Sequence, residues 1–137
     1  MKTKADLFLP KNLEEEIISH CKEIYPYEAC GILAGKDGIV QKVFKMTNID
    51  KSNVSYMMDP GEQFAVMKEM RKEVLEMTAI YHSHPHTDAY PSLKDINLAF
   101  YEDSLYVIVS LIQEEPVIRA FTIKEGIVEE SKILIIA

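Results

Sequence analysis

His82 and His84 flank Ser83 in the segment Tyr81-His82-Ser83-His84-Pro85. On an extended segment, positions i and i+2 share one face, about 6.6 Å apart along the chain. Two imidazoles on one face can converge on a single ion with Zn–N distances of about 2.0–2.1 Å. Pro85 ends such a strand directly after His84, which leaves the pair at a sheet rim. Farther along, Pro91-Ser92-Leu93-Lys94-Asp95 could supply a carboxylate, that of Asp95, from a following helix. Two histidines, a carboxylate and one open position form the donor set of a catalytic zinc site, because the open position can hold water. Plainer readings exist for the same residues. A His-x-His on a strand is commonly a pair of surface or hydrogen-bonded histidines, and Ser92 with Asp95 has the spacing of a capping box. Ligand and cap compete for the Asp95 carboxylate. Each half of the pattern is weak alone; the joint spacing is what is specific.

The elements that must position these residues follow from periodicity and punctuation. Residues 7–9 form an apolar run closed by Pro10, which predicts a short edge strand. Asn12 and Glu15 have capping-box spacing at the start of a helix that puts Leu13, Ile17, Ile18, Cys21 and Ile24 on one face and is stopped by Pro26. Residues 29–34 read as a buried strand, and Lys36-Asp37-Gly38 as a hairpin turn into a strand over 39–46. A further short strand is expected at 54–57. Asp59-Pro60-Gly61-Glu62 opens a second helix with a cap, a proline at the first helical position and an acid in the first turn. Its core face is expected to hold Phe64, Met67, Val74 and Leu75, the methionines as filler. A strand over 78–82, a polar loop over 85–91 and a short helix over 92–101 come next. Strands over 105–112, 117–124 and 127–136 close the chain, joined at Glu114-Glu115-Pro116 and Glu125-Gly126. These expectations describe one α/β domain spanning 1–137, a mixed β-sheet sandwiched by helices. Periodicity does not give the strand order.

His-x-His, seven residues, Ser, two residues and Asp, with Pro85 and Pro91 flanking the loop, resembles the metal motif of the JAMM (MPN-plus) metalloproteases. That family carries a glutamate near the end of its first helix, ahead of a glycine-containing strand. Tyr25-Pro26-Tyr27-Glu28-Ala29-Cys30-Gly31-Ile32-Leu33 is similar to that segment. The likeness runs from the helix after Pro10 through the closing strands. It implies the JAMM/MPN fold, which is cytidine-deaminase-like, and Zn2+ as cofactor. By the same resemblance His82, His84 and Asp95 are the zinc ligands. Glu28 is the general acid/base that takes a proton from the attacking water, and Ser92 hydrogen-bonds that water or the developing oxyanion. Without the resemblance, Glu28 is one acid among 22 acidic residues.

The resemblance further implies a peptidase or isopeptidase that cuts after the C-terminal Gly-Gly tail of a ubiquitin-like protein. A chain this close to a bare catalytic domain is similar to the stand-alone prokaryotic branch, whose expected partner is a β-grasp sulfur-carrier protein. An extended tail suits a sheet-edge groove, where it can add as a strand. The carrier, the choice between peptide and isopeptide, and the oligomeric state stay open. Two alternatives are a non-catalytic scaffold of the same fold, against which the complete motif counts, and a zinc hydrolase of small peptides.

Composition narrows the classes further. Net charge is -7 over 137 residues, and 47% of them are apolar, so this is a folded acidic chain rather than a general binder of nucleic acid or anionic membrane. An acidic carrier would require a locally basic groove. No apolar stretch approaches the ~20 residues of a membrane span, and residues 1–10 lack the features of a secretory leader. Cys21 and Cys30 cannot build a disulfide framework; they read as buried free thiols, with a reducing cytoplasm as the expected location. The complete metal set disfavours Cys30 as a Cys-His nucleophile, and the lack of a Pro-Cys-x-x-Cys segment rejects base deamination. His86 and Asp88 in the loop are left outside the ligand set, and His20 reads as a helix-surface histidine.

Overall fold

A computed structural model describes residues 6–137. In chain order its elements are β1 (Leu7–Pro10), α1 (Lys11–Ile24), β2 (Cys30–Lys36), β3 (Ile39–Met46), α2 (Pro60–Lys72), β4 (Glu76–His84), α3 (Leu93–Asn97), β5 (Leu105–Ser110), β6 (Val117–Lys124), β7 (Ile127–Ser131) and β8 (Ile133–Ile136). The strands form one mixed sheet in the order β7-β6-β5-β4-β2-β3-β1-β8. β2, β4 and β5 lie at its centre and are covered on both faces, which is why they read as nearly unbroken apolar runs.

Strand alternation divides the core between the two faces. Leu33, Ala79, Tyr81, Val107 and Val109 point to the side where α1 packs Ile17 and Cys21. Cys30, Ile32, Ile80 and Tyr106 point to the other side, against Met70 of α2. Asp37 and Gly38, both at positive φ (53° and 79°), make the tight turn between β2 and β3. Only residues tolerant of the left-handed region suit that turn, whose backbone twist matches the flanking strands.

β7 and β8 are separated only by Lys132, yet they stand at opposite ends of the strand order. Laid flat, seven inter-strand steps of about 4.8 Å would put them roughly 34 Å apart, whereas one residue spans about 3.5 Å. The sheet therefore curls until its two ends meet. The chain over 127–136 is a bent strand: its first part pairs with β6, its second with β1, and the Lys132 carbonyl at the bend accepts from the Leu7 N–H at 2.9 Å.

Several expectations are corrected. The strand over 127–136 is interrupted at Lys132. β1 is not an edge strand but lies parallel between β3 and β8; Pro10 is tolerated because it is the last residue of the strand and directly precedes α1. The Asn12–Glu15 capping box does not form, because the helix already begins at Lys11, so Asn12 is inside it. No strand forms at 54–57; a single bridge pairs Asn48 with Met58.

α2 starts as expected, with Asp59 accepting from the Gly61 and Glu62 N–H groups at 2.8 and 3.2 Å. It buries a narrower stripe than its apolar residues suggested. Met70 is buried and Met67 and Leu75 pack partly, while Phe64 (72% exposed) and Val74 (70%) face outward. Val74 lies beyond the helix end at φ 58°, so helical periodicity no longer governs it. His20 is buried and not on the surface: its Nδ1 is hydrogen-bonded to the Tyr81 hydroxyl at 2.7 Å. β4 runs on to His84, and α3 stops at Asn97. No helix among the described residues is long and apolar enough to cross a membrane. Residues 1–5, on which the reading of the N-terminal segment partly rests, lie outside the described residues.

Candidate active site

β4 presents His82 and His84 on the face of the sheet away from α1, in line with Ile80, while Tyr81 and Ser83 point to the α1 side. After the loop over 85–91, α3 brings Asp95 back to the pair. His82 Nε2 and His84 Nε2 lie 3.1 Å apart, and Asp95 Oδ2 is 3.1 and 3.0 Å from them. The donor atoms of these three residues can be drawn onto one metal ion.

The protonation pattern fits a cation at that point. A backbone carbonyl only accepts, so His84 Nδ1 donates to the Asp88 carbonyl at 2.8 Å. A neutral His84 ring then has its lone pair on Nε2, facing His82 and Asp95. Electron-rich atoms packed this closely need a metal or a shared proton between them. Burial lowers the pKa of His82. At His84 burial acts the same way but is outweighed by the Asp95 carboxylate and the Asp88 carbonyl, so its pKa is raised. Burial disfavours the Asp95 anion as well, yet hydrogen bonds from the histidine rings, to which His84 Nε2 contributes as a donor only when that ring is protonated, hold its carboxyl well below the usual range. The His82 ring also stacks on Tyr56, with centroids 4.6 Å apart and planes at 26°.

The cap expected at Ser92 and Asp95 forms, and it leaves the Asp95 carboxylate facing the histidines. Oδ2 accepts from the Ser92 N–H at 2.9 Å, and the Asp95 N–H donates to Ser92 Oγ at 3.1 Å, a complete capping box. The same oxygen faces both histidines. The cap thus fixes the start of α3 and aims the carboxylate at the histidine pair.

Glu28 reaches this cluster from the other side of the sequence, in the link between α1 and β2. It is 4% exposed, and its Oε1 has no hydrogen-bond partner among the described residues. Burial pushes its carboxyl up to about 7; the charges of His84 and Lys94 pull it down and that of Asp95 pushes it up. A carboxyl poised there can both accept and release a proton near neutral pH. Cys30, two residues away, has its thiol pushed up to about 12 by burial, as has Cys21, so neither is a ready nucleophile. Both are free and buried, as expected. His86 packs edge-on against Tyr25 at 5.5 Å, and Asp88 offers its backbone carbonyl rather than its carboxylate.

Two contributors escaped the sequence reading. Asn48 Nδ2 donates to the Glu28 and Ser55 carbonyls, both at 3.0 Å, and its Oδ1 accepts from the Asp50 and Met57 N–H groups, also at 3.0 Å. The signal for it was an Asn two residues before Asp50, the spacing of an Asx turn. Ser83 is the other: its Oγ accepts from the Ala29 N–H at 2.8 Å. A cleft of about 440 Å³ opens beside Asp95, walled by Tyr56, Met57, Met58, Ile80, Leu98 and Tyr106, with Asp50 and Lys94 also lining it.

Residues 10–124 match the family of prokaryotic homologs of the JAB domain. The chain is 35% identical to the CysO-cysteine peptidase of Mycobacterium tuberculosis, over 95% of this chain and 91% of that protein. It is 32% identical to a probable TtuB-protein conjugate cleaving protease of Thermus thermophilus, over 88% and 78% of the two chains. A protein of Desulfitobacterium hafniense solved in solution superimposes with a TM-score of 0.87 at 38% identity, covering 95% of this chain and 92% of that one. The mixed sheet with its helices is the fold that such a match carries, and the relatives named are peptidases and proteases. On the length of the family match and the level of identity, this chain belongs to the family of prokaryotic homologs of the JAB domain.

Proposed function

We propose that this chain is a zinc-dependent peptidase that hydrolyses the amide after the C-terminal Gly-Gly tail of a ubiquitin-like sulfur-carrier protein. In this reading His82, His84 and Asp95 hold the metal, Glu28 is the general base, and residues 1–137 act as one catalytic domain in the cytoplasm. The observation that carries it is the meeting of His82 Nε2, His84 Nε2 and Asp95 Oδ2 beside a buried, unpartnered carboxyl poised at about 7. Zinc bound there would polarise the scissile carbonyl and acidify a water in its open position.

The chain's own groups do the remainder. Glu28 accepts a proton from the attacking water and hands it to the leaving amine; its burial raises the pKa above the ordinary carboxylate range, which favours the return of the proton. Ser92 Oγ accepts from the Asp95 N–H, which leaves its own O–H available to donate to the developing oxyanion. The names of the relatives, a CysO-cysteine peptidase and a TtuB-conjugate protease, support a carrier as substrate. The apolar cleft beside Asp95 supports an extended tail as the bound segment.

The test is mass spectrometry of a Gly-Gly-ending carrier extended at its C-terminus, before and after incubation with the zinc-loaded protein. The expected product is the carrier ending at Gly-Gly, formed with wild type and suppressed by a chelator. An extended carrier left intact by zinc-loaded protein, or cleaved equally well in chelator, would overturn the proposal.

A further inference from the structure

The geometry points to Ser83 as the positioning residue that holds Glu28 opposite His84, an inference that rests on Glu28 being the general base. β2 and β4 are antiparallel, with Gly31 opposite Tyr81 and Cys30 opposite His82. One step further the register pairs Ala29 with Ser83, and one more brings Glu28 opposite His84. Residues in such facing positions put their side chains on the same face of the sheet, with Cα atoms about 4.5–5.5 Å apart. The base and a candidate metal ligand would thus be cross-strand neighbours, provided the ladder holds its register to the end.

Ser83 supplies that last rung in an unusual form. Its N–H donates to the Ala29 carbonyl at 3.0 Å, as in any ladder. The return bond from the Ala29 N–H goes to Ser83 Oγ at 2.8 Å, so a side chain stands in for a backbone acceptor. Glu28, next to that bonded pair, turns its own backbone groups away from β4, as a non-hydrogen-bonded position does: its N–H donates to the Ser52 carbonyl at 2.8 Å and its carbonyl accepts from Asn48. The Ser83–Ala29 pair is therefore the last hydrogen-bonded tie between the base segment and the strand that bears both histidines.

Ser83 is fully buried and Ala29 is 1% exposed, so no solvent water can replace a lost partner without rearrangement. Alternation makes the arrangement compact. In His82-Ser83-His84 the outer two side chains face the metal position and the middle one faces the opposite side, where it anchors the base segment.

The test compares Ser83→Ala, Ser83→Thr and Glu28→Gln by bound zinc, by exchange of the Ala29 amide hydrogen followed by NMR, and by kcat and KM on the extended carrier. Ser83→Ala should speed Ala29 exchange at least about tenfold and lower kcat by about 10–100-fold, with zinc content unchanged and KM within about twofold. Threonine keeps the Oγ on a strand position that suits a β-branched side chain, and should restore both protection and kcat. An Ala29 amide equally protected in Ser83→Ala overturns the inference whatever the activity. So does wild-type kcat in Ser83→Ala when Glu28→Gln is inactive, and that result leaves the Glu28 assignment standing. Wild-type turnover in Glu28→Gln overturns that assignment and this inference with it. A Ser83→Thr variant that protects Ala29 yet stays as slow as Ser83→Ala also overturns it.

Discussion

Replacing Glu28 by Gln in zinc-free protein should change stability in a way that depends on pH. In the folded chain burial raises this carboxyl from 4.5 to about 7. The unfolded chain titrates near the ordinary value. Between the two the folded state binds more protons than the unfolded one, so stability falls as pH rises through that window. Once Glu28 is ionised, the penalty is about 3 kcal/mol, at 1.36 kcal/mol for each pH unit of displacement. Gln keeps the shape and cannot ionise. The mutant should therefore gain on wild type from almost nothing near pH 4.5 to about 3 kcal/mol by about pH 8. A constant offset is expected as well, because the amide brings an N–H₂ to a place where Oε1 already lacks a partner, at a cost of about 1–3 kcal/mol. The slope, not the absolute difference, is the measurement. Urea denaturation of both proteins in chelator, at several values between about pH 5 and pH 8, gives it directly if m-values agree. Stability curves that run parallel within about 0.5 kcal/mol would refute the buried, neutral-leaning carboxyl. With zinc restored, the mutant should keep its metal and lose about 10²–10⁴-fold in turnover. Loss of zinc would recast Glu28 as a ligand or as support for one.

Three further outcomes test the surrounding structure. Elemental analysis should find about one zinc per chain in wild type and little in His82→Ala or Asp95→Ala; full occupancy in both mutants would leave Asp95 as a cap alone. Ser92→Ala should lose about 0.5–2 kcal/mol of stability as a cap and at least about a hundredfold in kcat as an oxyanion donor; a less stable but fully active mutant removes the second role. Gly31→Ala would place a Cβ 2.2 Å from the Tyr81 ring. Thermal melting should show a loss of about 1–3 kcal/mol as that ring is displaced from its bond to His20, and an unchanged melting temperature would mean the ring is free to move.

Much of the site was legible because its geometry is local. His82 and His84 share a face by strand periodicity, and Ser92 with Asp95 is a cap by helix spacing, so short-range rules place each pair. Glu28 was not legible in that way. Its approach to His84 depends on the antiparallel register of β2 and β4, which lie more than fifty residues apart in sequence at Ala29 and Ser83, and it was reached only through the family resemblance. His20 shows a signal that was present and under-read: it lies three residues after Ile17, on the same helical stripe, and an imidazole on an apolar stripe needs a buried partner. The stretch 54–57 shows the opposite error. Its apolar residues suggested a strand, but the Asn48 side chain satisfies the nearby backbone, so no ladder is needed there. β1 looked like an edge because proline ends it; nothing local says that the far end of the chain will pair beside it.

The curl of the sheet bears on how the protein avoids sticking to itself. The eight strands of the described residues, laid flat, would expose two full-length rows of unpaired N–H and C=O groups, each a template for strand addition by another molecule. Here the two ends of the strand order belong to one bent strand, so the outer rows are stubs of five and four residues, β7 and β8, offset along it. Glu129 on the first stub and Lys132 at the bend add charge where an incoming strand would have to lie flat, while Glu130 is paired with Arg119 of β6. A neighbouring molecule thus meets two short segments, one bearing acidic residues and one apolar, instead of one continuous edge, and fibril-like stacking through the sheet has little backbone to grip.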